Sequence, residues 1–139
     1  MGRLLGLDVG KKRTGIAITD DLQIACSPHS TVDTSSLIQE VLRMHSESAF
    51  VGVVIGKPKL MTGGTTDSTA FIESEVSKLS KALPSVAIHF VDEGFTSKEA
   101  AQIQLKSGMK KSKRRAKGSI DSIAASLILQ RHLDAQAYK

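Results

Sequence analysis

The sequence predicts an α/β domain in which a mixed five-stranded sheet is covered by helices on both faces. Two apolar runs near the start, 4–10 and 14–20, are joined by a short basic turn, which is typical of an antiparallel hairpin. Farther along, apolar runs alternate with segments of helical periodicity, and such strand–helix–strand crossovers favour parallel pairing. Residues 50–56 are apolar almost throughout, as expected for a strand that is buried on both faces.

Each element follows from a local pattern. Short aliphatic runs bounded by turn residues predict five strands, and apolar residues that recur every three or four positions predict helices. Pro28 and Pro84 are expected to end the third strand and the second helix, because proline has no N–H to donate. The predicted strands are 4–10, 14–20, 22–26, 50–56 and 86–91, and the predicted helices are about 35–48, 69–83 and 98–106, with a last helix that begins at Ser119.

Length and cysteine content narrow the class of protein. The chain has 139 residues, which fits a typical domain of roughly 100–150 residues, and we expect residues 1–139 to form one domain. Its one cysteine, Cys26, cannot form an intrachain disulfide, which suits a reducing compartment. No apolar run reaches the roughly 18 residues of a membrane span, and the start lacks a signal-peptide pattern. These features predict a cytoplasmic protein.

Positive charge is concentrated in one segment. The net charge is +5, but residues 106–117 hold seven of the 19 basic residues and no acidic one. The other 12 basic residues face 14 acidic ones, so the rest of the chain is slightly acidic. A local basic segment predicts contact with a polyanion, although a solvated surface loop has the same composition. With the basic turn included, the residues expected to hold a nucleic-acid backbone are Lys11, Lys12, Arg13, Lys110, Lys111, Lys113, Arg114 and Arg115.

Three carboxylates are expected to converge at one rim of the sheet. Asp8 interrupts an apolar strand near its end, Glu93 follows the last strand, and Asp121 lies in the first turn of the last helix. The carboxyl ends of neighbouring parallel strands meet at one rim, where ligand sites gather. Acids this close repel one another unless a cation lies between them. Oxygen ligands without Cys or His suit Mg²⁺ or Mn²⁺.

Such a site predicts hydrolysis of a phosphodiester. Two divalent ions about 3.5–4 Å apart activate a water molecule and stabilise the leaving oxygen, and the basic residues hold the rest of the backbone. Two of the acids also have simpler explanations, because Asp121 would complement a helix dipole and Glu93 would suit an exposed loop. Asp8 is the hardest of the three to explain in this way, since an unpartnered carboxylate in an apolar strand is costly.

Four segments together are similar to the motifs of a known family. They occur in one order along nearly the whole chain, and their combination is more specific than any one of them. The segments are Gly6-Leu7-Asp8-Val9-Gly10 with Lys12-Arg13-Thr14-Gly15-Ile16-Ala17, Val54-Ile55-Gly56-Lys57-Pro58 with Gly63-Gly64, Val91-Asp92-Glu93 with Thr96-Ser97, and the basic segment with Asp121-Ser122-Ile123-Ala124-Ala125.

These segments resemble the YqgF (RuvX) family of Holliday junction resolvases. The resemblance implies a ribonuclease H-like fold and a nuclease implicated in maturing the 5′ end of pre-16S ribosomal RNA. It also implies that Asp8, Glu93 and Asp121 are catalytic acids that bind metal, and that the basic segment touches nucleic acid. The family usually has Arg and Leu after its Asp-Glu pair, where this chain has Gly94 and Phe95.

Three activities remain open from the sequence. The first is a metal-dependent nuclease that processes the 5′ end of pre-16S rRNA, alone or within a ribosomal particle. The second is a Holliday junction resolvase, for which a dimer would make two symmetric cuts. The third is a non-catalytic rRNA-binding module. We expect a monomer or weak homodimer without membrane contact, and two Mg²⁺ or Mn²⁺ ions as cofactors of either nuclease.

Overall fold

The computed structural model describes residues 2–58, 67–93 and 117–137. The predicted helix at 98–106 and most of the basic segment therefore lie outside the described residues. A single helical turn over Thr34–Ser36 leads into the first helix. The elements in chain order are β1 (Arg3–Val9), β2 (Arg13–Thr19), β3 (Cys26–Asp33), α1 (Leu37–Glu47), β4 (Phe50–Pro58), α2 (Asp67–Ala82), β5 (Ala87–Glu93) and α3 (Lys117–Ala137).

The five strands form one mixed sheet in the order β3-β2-β1-β4-β5. β1 pairs antiparallel with β2, and β2 with β3, as expected for consecutive hairpins. β1 pairs parallel with β4, and β4 with β5, because a helix crosses over before each of the later strands. The predicted mixed sheet is confirmed, and its three parallel strands end at one rim.

Alternating side chains of the strands build a core on each face of the sheet. Leu5 and Leu7 of β1 are fully buried in a cluster with residues of α1 and α2. Leu4 of β1 belongs to a second cluster, which α3 completes with Leu129. Strand side chains point alternately to the two faces, so this division places α1 and α2 on one face and α3 on the other. The predicted covering of both faces is confirmed.

Two glycines allow α3 to pack unusually close to the sheet. A Cβ atom at Gly6 of β1 would lie 2.4 Å from Cγ of Leu129. A Cβ atom at Gly15 of β2 would lie only 1.9 Å from the carbonyl oxygen of Asp121. The helix presents the small, fully buried Ala125 on this face. Small residues on both sides therefore fix how near the start of α3 comes to β1 and β2.

The prediction of a third strand at 22–26 is wrong, since most of that segment is a turn. The Asp20 carboxylate accepts hydrogen bonds from the backbone N–H groups of Ile24 and Ala25 at 2.8 and 3.2 Å. Gln23 has a φ of 57°, in the left-handed region typical of turns. These bonds close the turn, and they lower the pKa of Asp20 because the N–H groups stabilise the charged form. β3 begins only at Cys26.

Pro28 does not end the third strand, as the sequence had suggested, but lies within it. Among the described strands β3 lies at the edge of the sheet and pairs only with β2, so one side of its backbone needs no strand partner. A register shift between Ile16 and Ala17 accommodates the proline opposite Ala17. Proline is tolerated at such edge positions and bulges because the missing N–H is not needed in the ladder.

No helix within residues 2–58, 67–93 and 117–137 is long and apolar enough to cross a membrane.

Candidate active site

Asp8 lies on the α3 face of the sheet, near the end of β1. It pairs with Gly15 across the β1–β2 hairpin, and it shares its face with Leu4 and Gly6 by strand alternation. Its residue is partly exposed, unlike the buried Leu7 before it and Val9 after it. The carboxylate that interrupts the apolar strand is thus at the solvent-facing end of the α3 core.

Asp121 is brought to the same place by α3. Its carbonyl oxygen lies directly above Gly15, the partner of Asp8, and its side chain is 24% exposed. Because the helix begins at Lys117, Asp121 is not in the first turn as predicted, and the first turn has no acidic residue. The alternative explanation, that Asp121 only complements the helix dipole, is weaker at this position, since the effect falls off beyond the first turn.

Glu93 is the last residue of β5 and not, as predicted, a residue beyond the strand. Its backbone is in register with Pro58 of β4, at the carboxyl end of the parallel strands. Asp8 follows Leu7, which is in register with Ile55 of β4. The backbone of Glu93 therefore belongs to the rim that carries Asp8, and its side chain is outside the described part of the structure.

Arg13 is paired with one of the predicted catalytic acids. Its Nε donates a hydrogen bond to Oδ2 of Asp121 at 3.1 Å, and its side chain is 42% exposed. The sequence suggested a contact between Arg13 and nucleic acid and did not indicate a pair with Asp121. The two residues are 108 positions apart, so no local pattern signals the pair. The structure thus places the Arg13 guanidinium against the Asp121 carboxylate.

The β1–β2 turn that carries Arg13 is held by Thr34. The backbone N–H of Gly10 donates to the carbonyl oxygen of Arg13 at 3.0 Å, and the N–H of Thr34 donates to the carbonyl of Lys12 at 2.9 Å. The Thr34 hydroxyl donates to the Gly10 carbonyl at 2.6 Å and lies 2.9 Å from the Thr14 hydroxyl. Thr34 is buried, so these hydrogen bonds anchor the turn to the protein interior.

Thr34→Val is expected to destabilise the protein by about 1–3 kcal/mol. The substitution keeps the shape of the side chain but leaves the Gly10 carbonyl and the buried Thr14 hydroxyl without this partner. Urea unfolding followed by circular dichroism measures the loss. Thr34→Ser keeps the hydroxyl and should lose clearly less; equal stability of Thr34→Val and the wild type would show that the hydroxyl does not hold the turn.

The other predicted site residues are divided between the described and undescribed parts of the chain. Lys11 and Lys12 are exposed in the β1–β2 turn next to Arg13. Within the described residues, no group of three or more His, Cys, Asp and Glu side chains is arranged to hold a metal ion. The predicted contacts that lie outside the described residues are Lys110, Lys111, Lys113, Arg114 and Arg115.

Comparison with known proteins supports a family assignment. The family model described as "RuvX: Holliday junction resolvase" matches residues 2–135. A protein of Phocaeicola vulgatus named "Putative pre-16S rRNA nuclease" is 38% identical over 138 residues, which are 99% of each chain. A protein of the same name from Flavobacterium johnsoniae is 40% identical over 138 residues, covering 99% of this chain and 100% of the relative.

The fold is also that of a solved structure, a RuvC protein. RuvC of T. thermophilus, in complex with a Holliday junction substrate, superposes with a TM-score of 0.63 over 99% of this chain and 96% of that chain. The sequence identity is 12%, so this likeness concerns the ribonuclease H-like fold alone. The full-length match to the family model and the identity to its relatives show that the chain belongs to the RuvX family.

Proposed function

We propose that this protein is a metal-dependent nuclease that processes the 5′ end of pre-16S rRNA in the cytoplasm. The observation that carries the proposal concerns Gly15, which pairs with Asp8 across the hairpin and lies directly against the Asp121 carbonyl. Glu93 ends β5 at the same rim of the sheet. The names of the relatives from Phocaeicola vulgatus and Flavobacterium johnsoniae supply the substrate. Basic residues beside two acids suit a polyanion held next to a cation site.

The chemistry of the site fits a hard divalent cation. The donors available are carboxylate oxygens of Asp8 and Asp121, with Glu93 on the same rim, and oxygen ligands suit Mg²⁺ and Mn²⁺. Arg13 already places a positive charge against Asp121, as expected where two acids come together. When bound, such an ion lowers the pKa of water and neutralises charge on phosphate oxygens. We assign Asp8, Glu93 and Asp121 to hold it.

The basic turn positions the RNA backbone. Lys11 and Lys12 are exposed in the β1–β2 turn that follows Asp8, and the Thr34 hydrogen bonds fix this turn before substrate arrives. A fixed turn offers its cations to phosphate with little loss of conformational entropy. Phosphate contacts carry no sequence information, so specificity rests on the shape of the RNA and on its unpaired bases.

Cleavage assays with two substrates test the proposal. Purified protein is incubated with 5′-extended pre-16S rRNA and with a four-way DNA junction, in Mg²⁺, Mn²⁺ or EDTA. We expect cleavage of the RNA with either metal and none in EDTA. Preferential cutting of the junction would favour the resolvase activity that the family description names. RNA binding without cleavage in any condition would instead favour a non-catalytic RNA-binding protein.

Arg13→Gln is expected to strengthen binding of Mn²⁺ and to weaken binding of RNA. Arg13 competes with the metal for Asp121, and removal of this partly exposed pair should raise metal affinity by up to about fivefold. The variant also lacks the cation that contacts a phosphate. The slope of the logarithm of RNA affinity against the logarithm of salt concentration should therefore become smaller by about one unit. Calorimetry with Mn²⁺ and anisotropy with labelled RNA measure the two effects.

Arg13→Lys is the control for this pair, because it keeps the charge and should resemble the wild type more closely. Weaker Mn²⁺ binding by Arg13→Gln would contradict competition and would instead mean that Arg13 orients Asp121 for the metal.

A further inference from the structure

A second cleft adjoins the β1–β2 turn, on the face of the sheet opposite α3. It has a volume of about 250 Å³ and lies between the start of α1 and the side of α2. The proposed function gives it no role. The residues around it are two cations, two hydroxyl residues, an aliphatic and an aromatic residue and one acid, namely Lys11, Lys78, Thr34, Ser35, Ile38, Phe71 and Glu75.

Glu75 is the unusual member of this set, because it is a buried carboxylate in the wall of an open cleft. The residue is only 5% exposed, and glutamate is almost never buried without a partner. Its partner is Lys78, whose Nζ lies 3.4 Å from Oε1. Lys78 is 60% exposed, so its flexible chain is free to move to another anion while Glu75 stays in place. Glu75 thus offers a fixed acceptor to a ligand that carries N–H donors.

Phe71 and the two lysines indicate which kind of ligand would donate N–H groups to Glu75. Unpaired RNA bases stack on aromatic side chains and hydrogen-bond through their edges, and lysines hold the attached phosphates. Phe71 is partly exposed in the cleft, one helical turn before Glu75. Lys11 lies at the other end, in the turn that carries Arg13. The cleft is therefore adjacent to the basic turn that we assign to the RNA backbone.

We propose that this cleft binds an unpaired guanine of the RNA substrate. The proposal rests on the proposed function and names a specificity pocket for it. Guanine presents two neighbouring N–H donors, N1–H and N2–H₂, to which a carboxylate accepts two hydrogen bonds. On that edge adenine and cytosine each offer one donor group, the amino group, and uracil offers one, its N3–H, so none of them presents two neighbouring donor groups to a carboxylate. Glu75 accepts the guanine edge, Phe71 stacks on the ring, and Lys78 moves to the phosphate.

Binding of short RNAs in EDTA isolates this pocket from cleavage. Fluorescence anisotropy is measured with the pentaribonucleotides UUGUU, UUAUU, UUCUU and UUUUU, and with inosine in place of guanine. We expect UUGUU to bind roughly tenfold more tightly than UUUUU, as for a good bidentate contact. Inosine lacks the 2-amino group and should fall between them.

Variants of two acids on α2 provide the matched comparison. Glu75→Gln should abolish the preference for guanine, because its amide N–H₂ repels one guanine donor while the side chain keeps its size. Glu73→Gln makes the same change in charge at an exposed residue that pairs with Lys57, and should keep the preference. Phe71→Leu keeps an apolar side chain but loses the stacking surface, so it should weaken UUGUU several-fold.

The outcomes separate the pocket from the nuclease. Equal binding of all pentamers by the wild type, or equal loss of preference in Glu73→Gln and Glu75→Gln, overturns the guanine pocket. If the protein shows either of these results but still cleaves pre-16S rRNA, the proposed nuclease function is retained and only the pocket is rejected. The protein could also prefer guanine through Glu75 and yet cut neither RNA nor DNA. This outcome supports the pocket and contradicts the proposed nuclease function.

Discussion

Asp8→Asn is expected to reduce RNA cleavage by at least about a hundredfold while the protein stays folded. Changes in residues that only support metal ligands already cost roughly 10–100-fold, and Asp8 is proposed to be a ligand itself. The amide keeps the size of the carboxylate and removes the charge that attracts the cation. Initial rates on 5′-extended pre-16S rRNA in Mg²⁺, together with circular dichroism, measure both properties.

The matched control is Asp21→Asn, which removes the same charge from an exposed residue. Asp21 is 80% exposed, and its 3.7 Å contact with Arg3 lies away from the rim. We expect its cleavage rate to stay within about twofold of the wild type, since surface changes of this kind have small effects. Cleavage by Asp8→Asn at the rate of this control would remove Asp8 from the mechanism.

Gly15→Ala is expected to have the largest effect on stability. The new Cβ atom would lie 1.9 Å from the Asp121 carbonyl oxygen and 2.8 Å from the backbone nitrogen of Ser122. These are backbone atoms of a packed helix, so α3 itself must shift. We expect a loss of at least about 3 kcal/mol, at the upper end for overpacked cores, and a fall in Tm of about 10 °C.

Gly2→Ala is the comparison for this substitution. Its Cβ atom would lie 2.4 Å from Cγ1 of Val51, but that residue is 47% exposed and its side chain can rotate away. We expect a change within about 0.5 kcal/mol. Thermal unfolding of both variants measures the difference, and a Gly15→Ala protein as stable as Gly2→Ala would mean that α3 does not pack closely on β2.

The sequence predicted correctly those parts of the fold in which apolar residues form a clear pattern. β1, β2 and β4 are apolar runs bounded by turns, and their pairing follows from the lengths of their connections. β3 was misplaced because Cys26–Asp33 is a polar edge strand that has no buried residue. Its position is set by backbone pairing with β2 and by the Asp20 turn, neither of which leaves a periodic pattern.

The candidate site was predictable where a residue contradicts its local environment. Asp8 stands out as a charge in a buried strand, and Glu93 follows from the shared rim of parallel strands. The Arg13–Asp121 pair and the close contact at Gly15 were missed because each depends on how α3 lies across the sheet. Glu75 was missed for a related reason, since its burial depends on tertiary packing around α2.

Binding of Mn²⁺ without RNA tests most directly whether the converging acids form a metal centre. Calorimetric titration compares the wild type with Asp8→Asn and with the Asp21→Asn control. The account predicts binding by the wild type and the control, and a loss of at least about tenfold in affinity for Asp8→Asn. Equal Mn²⁺ affinity in all three proteins would contradict it, because the metal would then lie away from Asp8.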